Sequence, residues 1–433
     1  MWRDVRGPDP GSRLGRSMPM ETRAATALVK ETLALRRALL PLFSRDGIDG
    51  AQLDAAAQRS LRSWDLFLTC DCCAIPLAAR LRAGALLQRL PTDVQALIAQ
   101  RETAELQRVL AARQSLKQVD RMSTELGIPF VVLKGGALVA EADRAPLDLG
   151  DVDVLISPDV ALDVWRALLD GGWRLKSGGP MPAHPAQSDA NHLPGLVSPT
   201  GGLAVELHTS MEYGAGAATV NAPPTRALKD FRSLFRLTGS FGVVTTLRHS
   251  VIKHPHRRGH LRDLLLLQDT LRESAENVGE IEREIESDRY ARELQDMLQQ
   301  AHALAAGEGV RDSGATARFV AWKYATCVHE QGVLGPLVPG WSGLNYLPLE
   351  RPAVRRFAFR TQLRYAFAPV PVDSPFRPSA GRRSTRDPLA RLAGAAEGMG
   401  ARALRALYRT TLLVLLATVG WRIRHRIDEM IAQ

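Results

Sequence analysis

The chain is poor in cysteine, in lysine and in long apolar runs, and each shortage excludes something. Four cysteines in 433 residues, Cys70, Cys72, Cys73 and Cys327, make no disulfide framework, and Cys70-Asp71-Cys72-Cys73 lacks the paired C-x₂-C spacing of a zinc site. The first three lie in an apolar, helix-like run, so they read as buried, reduced thiols of a cytoplasmic protein. No apolar core follows the first methionine, and secretion is therefore not expected. The apolar stretch from Thr410 to Trp421 falls short of the roughly 20 residues that cross a bilayer. Acidic residues are outnumbered, 46 Asp and Glu against 56 Lys and Arg, for a net charge of +10. That excess suits anionic partners such as nucleotide, nucleic acid or anionic lipid, although a GC-rich genome accounts for abundant arginine equally well. Only seven of the 56 are lysines.

What remains is ordinary for a folded protein. At 45% hydrophobic and 24% charged the composition excludes wholesale disorder, and the length allows two or three domains with cores of their own. Residues 1–19, rich in Gly, Pro and Arg, read as a disordered tail. Residues 20–125 read as helical, with breaks at Gly47, Gly50 and Pro91 and an apolar stripe at Leu106, Val109, Leu110, Ala111 and Leu116. Leu126-Gly127-Ile128-Pro129 closes that region and opens a mixed core at residues 126–223. Within it, Ser157-Pro158 is a helix start with Ser as N-cap. Val160, Val164, Ala167 and Leu168 form that helix's buried stripe, Gly171-Gly172 stops it, and a strand follows from Trp173 to Leu175. Ser177 to Gly202 reads as a long loop. Residues 224–332 return to helix, residues 333–400 form an irregular basic linker, and residues 401–433 form an apolar, arginine-flanked helix. That last helix docks on the protein or lies weakly against an anionic membrane surface, which would make the protein peripheral.

The densest signal is Val131 to Ile156, VVLKGGALVAEADRAPLDLGDVDVLI. Side chains alternate along a strand, so Asp151 and Asp153 leave one face while Val152, Val154 and Ile156 leave the other. Two carboxylates so close repel unless a cation lies between them, and their hard oxygens suit Mg²⁺, which completes its shell with water and substrate phosphates. Gly135 and Gly136 form a turn whose bare N–H groups can meet a phosphate chain, and Lys134 beside them is a compact charge able to reach it. A phosphate cradle beside a metal clamp points to chemistry on a nucleoside triphosphate.

In the order of its parts this region resembles the DNA-polymerase-beta-type nucleotidyltransferase superfamily. More narrowly, Leu133-Lys134-Gly135-Gly136 with Val205-Glu206-Leu207-His208 is similar to the uncharacterised bacterial nucleotidyltransferases with a Leu-Lys-Gly motif. Asn191-His192-Leu193-Pro194 resembles the stretch that precedes the family's third acidic strand. The resemblance covers roughly residues 25–270. It implies an α/β (α+β) fold with a small mixed sheet flanked by helical regions. It also implies that Asp151 and Asp153 hold the nucleotide-bound Mg²⁺ or Mn²⁺, and that Glu206 joins them on a second ion or acts as base. Lys134, Gly135, Gly136 and His208 would contact the nucleotide. Two departures stand out: Gly136 replaces the usual turn Ser, and Leu147 and Asp148 stand where related chains carry Arg, leaving Arg144 to substitute.

The expected reaction moves an NMP from an NTP to a hydroxyl-type acceptor and releases pyrophosphate, with ATP as the default donor because it is abundant. The acceptor is open among a small molecule, an RNA end and a protein side chain. The other reading is a catalytically silent nucleotide-binding or scaffold protein with a basic C-terminal interaction region. The cluster His249, His254, His256 and His260 is crowded by Lys253, Arg257, Arg258 and Arg262, which favours an anion-facing surface over a zinc site.

Overall fold

A computed structural model of the chain describes residues 20–44, 47–141, 147–176, 192–210, 223–253, 258–274, 277–288, 290–308 and 314–330. The N-terminal tail, Arg144, His254, His256, the basic linker and the C-terminal apolar helix of the sequence reading lie outside the described residues.

Helices lead the fold: α1 (Met20–Leu39), α2 (Gly50–Ala57), α3 (Leu61–Asp71), α4 (Ala74–Ala83) and the long α5 (Thr92–Leu126). Pro91 occupies the N-cap position of α5, and Gly127 ends it at φ +65°, a left-handed conformation that suits glycine. The buried face of α5 carries Val94, Ile98, Val109, Ala112, Leu116 and Val119. This corrects the expected stripe: Leu110 is 64% exposed and Leu106 40%. The sequence there offers leucines on both sides of the helix, and only the packing partner selects which side is buried.

The mixed core then runs β1 (Phe130–Val132), α6 (Lys134–Ala140), β2 (Asp151–Leu155), α7 (Pro158–Asp170), β3 (Arg174–Leu175), β4 (Leu196–Val197), β5 (Ala204–His208), β6 (Thr225–Ala227) and β7 (Leu234–Leu237). The seven strands form one sheet in the order β3-β4-β5-β2-β1-β7-β6. Its centre is mixed: β1 runs antiparallel to β2 and parallel to β7, while β2 and β5 are parallel. Pro158 starts α7 as expected, but Ser157 makes no side-chain cap hydrogen bond, and the buried stripe is Ala161, Val164, Trp165 and Leu168. Trp165 takes the place foreseen for Val160 and Ala167 because its ring fills more of the space against the sheet; its indole N–H donates to Pro194 O at 2.9 Å.

Two stretches differ from their sequence reading. The expected loop from Ser177 to Gly202 contains β4, and residues 224–237, expected to be helical, contribute β6 and β7. β7 is only four residues long and includes Arg236, 3% exposed, so its apolar pattern is too short to separate from a helical one. Arg236 is accommodated because Glu141 and Glu273 both receive it, at 2.7 and 2.6 Å.

Helices complete the described chain: α8 (Gly239–Arg248), a single π-helical turn His249–Lys253, α9 (Leu261–Glu273), α10 (Val278–Glu286), α11 (Ala291–Ala306) and α12 (Gly314–Glu330). They share one apolar core with α1, α3 and α4, while a second core joins the sheet to α5, α6 and α7. At the heart of the helical core Asp71 binds Arg36, accepts from Tyr324 Oη at 2.5 Å and accepts from Leu261 N at 2.8 Å. One carboxylate thus ties α1, α3, α9 and α12 together. Among the described residues no helix is long and apolar enough to cross a membrane.

Candidate active site

The alternation read from the sequence sets up the site. Val152 and Val154 are fully buried in the sheet core, and so are Val205 and Leu207 of the neighbouring strand to within 1%. The opposite face of the two strands therefore carries Asp151, Asp153, Glu206 and His208. Parallel pairing puts Asp153 directly beside Glu206 and Leu155 beside His208. Two strands far apart in sequence thus bring the third acidic residue to the first two.

Lys134 arrives from the other neighbour of β2. Leu133 N donates to Asp153 O at 3.0 Å, which pins the end of β1 at this point. Lys134 then adopts φ +54°, a left-handed conformation that costs a non-glycine residue about 1–2 kcal/mol. Its ammonium donates to Asp153 Oδ2 at 2.9 Å. Strain of this kind collects at functional sites.

Gly135 and Gly136 lie in the first turn of α6 and are buried, so the turn itself falls at Leu133 and Lys134. A Cβ on Gly135 would meet Leu149 Cδ2 at 2.4 Å, and one on Gly136 would meet Val132 Cγ1 at 3.0 Å. A side chain at either position would make Leu149 or Val132 give way, so close packing favours glycine here in addition to any contact with a ligand.

Asp153 is 8% exposed and is held from two sides. Lys134 takes one oxygen, and His208 Nε2 lies 2.6 Å from the other. Burial pushes the Asp153 carboxyl up, but Lys134, His208 and His249 outweigh it and hold the group well below the usual carboxylate range. The repulsion foreseen between the carboxylates is relieved by these side-chain cations. Asp151 and Glu206 share a third: Lys176 Nζ lies 3.6 Å from Asp151 Oδ2 and 3.7 Å from Glu206 Oε1. His192 Nδ1 is 3.7 Å from Glu206 Oε2, and its ring sits 5.1 Å from that of His208.

Most of these groups open on a cavity of about 320 Å³, whose lining does not include Lys176. Lys134, the two glycines, Asp151, Asp153, His192 and Glu206 line it together with Asp148, His249, Arg262, Asp263 and Leu266. His208 is fully buried beside Asp153 and does not reach the wall. Arg262 is fixed by Asp263 at 2.8 Å, and Arg108 binds Asp148 at 2.5 Å. Behind Asp148, Glu105 caps α4 by accepting from Ala74 N and Ile75 N at 3.0 and 2.9 Å. Burial pushes the Glu105 carboxyl up to about 7 against the pull of those two amides.

The residues present suit a divalent cation. Among the described residues Asp153, Glu206 and His208 each offer a ligand atom, all within 4.8 Å of one another. Two carboxylates and Asp151 next to them make an oxygen-rich set of the kind Mg²⁺ or Mn²⁺ takes. Of the histidine cluster, His249 reaches the cavity, His260 is buried at the start of α9, and the other two lie outside the described residues. Of the residues the sequence reading named, Asp151, Asp153, Glu206, Lys134, Gly135 and Gly136 lie together on the cavity, His208 is buried behind Asp153 instead of facing a nucleotide, and Arg144 lies outside the described residues. That reading missed Lys176, whose only signal was that lysine is rare in this chain, and it gave no role to Asp148 and Asp263.

Residues 74–306 match the model of a family described as uncharacterised nucleotidyltransferase. No curated protein and no solved structure matches the chain.

Proposed function

The chain belongs to the family of uncharacterised nucleotidyltransferases, and from that premise we propose that it moves a nucleoside monophosphate from its triphosphate to a hydroxyl-type acceptor, releasing pyrophosphate. The observation that carries this reading is the in-register pair Asp153 and Glu206, with Asp151 on the same face, at the mouth of a cavity that also presents Lys134. A bond forms between the acceptor oxygen and the α-phosphorus, and the bond from that phosphorus to the pyrophosphate oxygen breaks. The acceptor proton goes to Glu206, which sits on the cavity wall. Asp151, Asp153 and Glu206 would hold Mg²⁺ or Mn²⁺, which would supply stabilisation of charge on the attacking and leaving oxygens.

Lys134 has a second task in this scheme. Its ammonium lines the cavity together with Arg262 and His249, and these three groups would meet the phosphates. Gly135 and Gly136 leave the first-turn amides uncovered for phosphate oxygens. His208 holds Asp153 in orientation from behind. We assign ATP as the donor on abundance, since none of these residues reads a base. A small molecule, an RNA end and a protein side chain are the acceptor classes to test.

The test offers each α-labelled triphosphate with Mg²⁺ or Mn²⁺ and pools of the three acceptor classes. Label should pass from triphosphate to acceptor with wild type and fall at least 100-fold with Glu206→Gln. Absence of transfer with all four triphosphates, or undiminished transfer by the variant, rejects the proposal.

A further inference from the structure

We infer that Lys176 takes the place of a second metal ion, so that this site works with one divalent cation and one ammonium group. The inference rests on the nucleotidyl-transfer reading above and specifies its metal count. Where two ions act together they sit roughly 3.5–4 Å apart and share carboxylates between them. Here the carboxylates that such a pair would share are already bridged by a lysine. Lys176 Nζ is 3.6 Å from Asp151 Oδ2 and 3.7 Å from Glu206 Oε1, while Asp153 on the same face is met by Lys134 and His208.

The position of Lys176 is fixed by the sheet. It follows β3 directly, and its N–H donates to Gly195 O at 2.9 Å, so the chain leaves the sheet at the start of β4, beside Gly195. A Cβ on Gly195 would lie 3.3 Å from Glu206 Cγ and 3.6 Å from Lys176 Cδ. The absence of a side chain at Gly195 lets the lysine stem and Glu206 lie together. In a chain that uses arginine for most of its positive charge, lysine appears at the two points where an ammonium meets these carboxylates. A guanidinium is planar and wide, whereas an ammonium is a compact point charge that can sit where an ion would.

Charge gives the same answer. Asp151, Asp153 and Glu206 carry three negative charges, and Lys134 and Lys176 return two. One divalent ion beside Asp153 leaves the cluster slightly positive, ready for a triphosphate. A second would have to lie against the Lys176 ammonium, and like charges at that distance repel strongly.

Electron paramagnetic resonance of Mn²⁺ tests this without turnover. Wild type, Lys176→Met and Asp153→Asn are each saturated with Mn²⁺ in the presence of inorganic tripolyphosphate, with unfolding melts to confirm that each is folded. Wild type should hold one protein-bound ion with an uncoupled signal. Lys176→Met should hold two and show the exchange coupling of a close pair. Asp153→Asn should lose the bound ion. A coupled pair in wild type overturns the inference, and so does an uncoupled single ion in both wild type and Lys176→Met. Either result leaves the carboxylate metal site standing. A wild type that binds no Mn²⁺, or binds it undiminished in Asp153→Asn, rejects the metal site and with it the nucleotidyl-transfer reading.

Discussion

Asp151 and Asp153 are two residues apart on one strand face, yet their surroundings make them unequal. Asp153 is buried between Lys134 and His208, and Lys134 itself has a side chain only 7% exposed. Removing the charge from Asp153 strands that ammonium, so Asp153→Asn should cost about 3 kcal/mol in urea unfolding. Asp151 is more open and among the described residues meets Lys176 at 3.6 Å, so Asp151→Asn should stay within about 0.5 kcal/mol of wild type. Equal stability of the two variants would contradict this asymmetry. Because the Asp153 carboxyl is held below its ordinary value, its contribution is present above the unfolded-state value near 4 and is lost as pH falls through the folded value.

Glu105 has the opposite sign. Its carboxyl is raised from 4.5 to about 7, so the folded chain binds a proton that the unfolded chain has released between those values. The resulting stability is present below about pH 4.5 and is lost as pH rises through about 7, a change of roughly 3 kcal/mol at most. Glu105→Gln keeps an acceptor for one of the two α4 amides and loses the other, a cost that does not vary with pH because the amide does not titrate. Plotted as stability difference, the variant should gain on wild type between pH 5 and pH 7.5. A flat difference over that range would mean that Glu105 titrates normally.

Among the elements, α6 shows how packing and ligand requirements converge on one glycine pair. Gly135 has no room for a Cβ because Leu149 crosses it at 2.4 Å. Gly135→Ala should cost about 1–3 kcal/mol through overpacking, in the absence of any nucleotide. Leu149→Ala opens that space, so the double variant should be less destabilised than the two single losses added together. Strict additivity would show that the close approach is not the reason for glycine. α5 makes a complementary point. Its leucines were legible as a helical pattern, but the buried side could not be chosen, because Leu106 and Leu110 continue the apolar character around the helix to solvent.

In the molecule as a whole, the helical core is organised around a polar centre. Asp71 receives Arg36, Tyr324 and the N–H of Leu261, and Arg36 also donates to Gly259 O at 2.5 Å. Arg36 is fully buried, so Asp71→Asn leaves a guanidinium without its counter-charge and should cost about 3–5 kcal/mol. Denaturant unfolding monitored by tryptophan fluorescence measures this, and a loss below 1 kcal/mol would show that the four helices do not depend on the carboxylate.

The spacing of Asp151 and Asp153 was readable without coordinates, because a strand's two-residue period follows from covalent geometry and the valines between them name the buried face. The Leu-Lys-Gly-Gly turn, the Val-Glu-Leu-His strand, the helix started by Pro158 and the helix ended by Gly127 were readable for the same local reason. Which strands become neighbours is a different kind of information. β6 and β7 are short, Arg236 interrupts the pattern of β7, and the glutamates that receive that arginine, Glu141 and Glu273, come from distant parts of the chain. Lys176 follows a two-residue strand at the sheet's edge, and His249 and Arg262 come from helices of the other core. The local sequence marked His249 and Arg262 only as part of a basic, histidine-rich cluster and did not mark Lys176 at all, since it takes long-range packing to bring their charges to the carboxylates of β2 and β5.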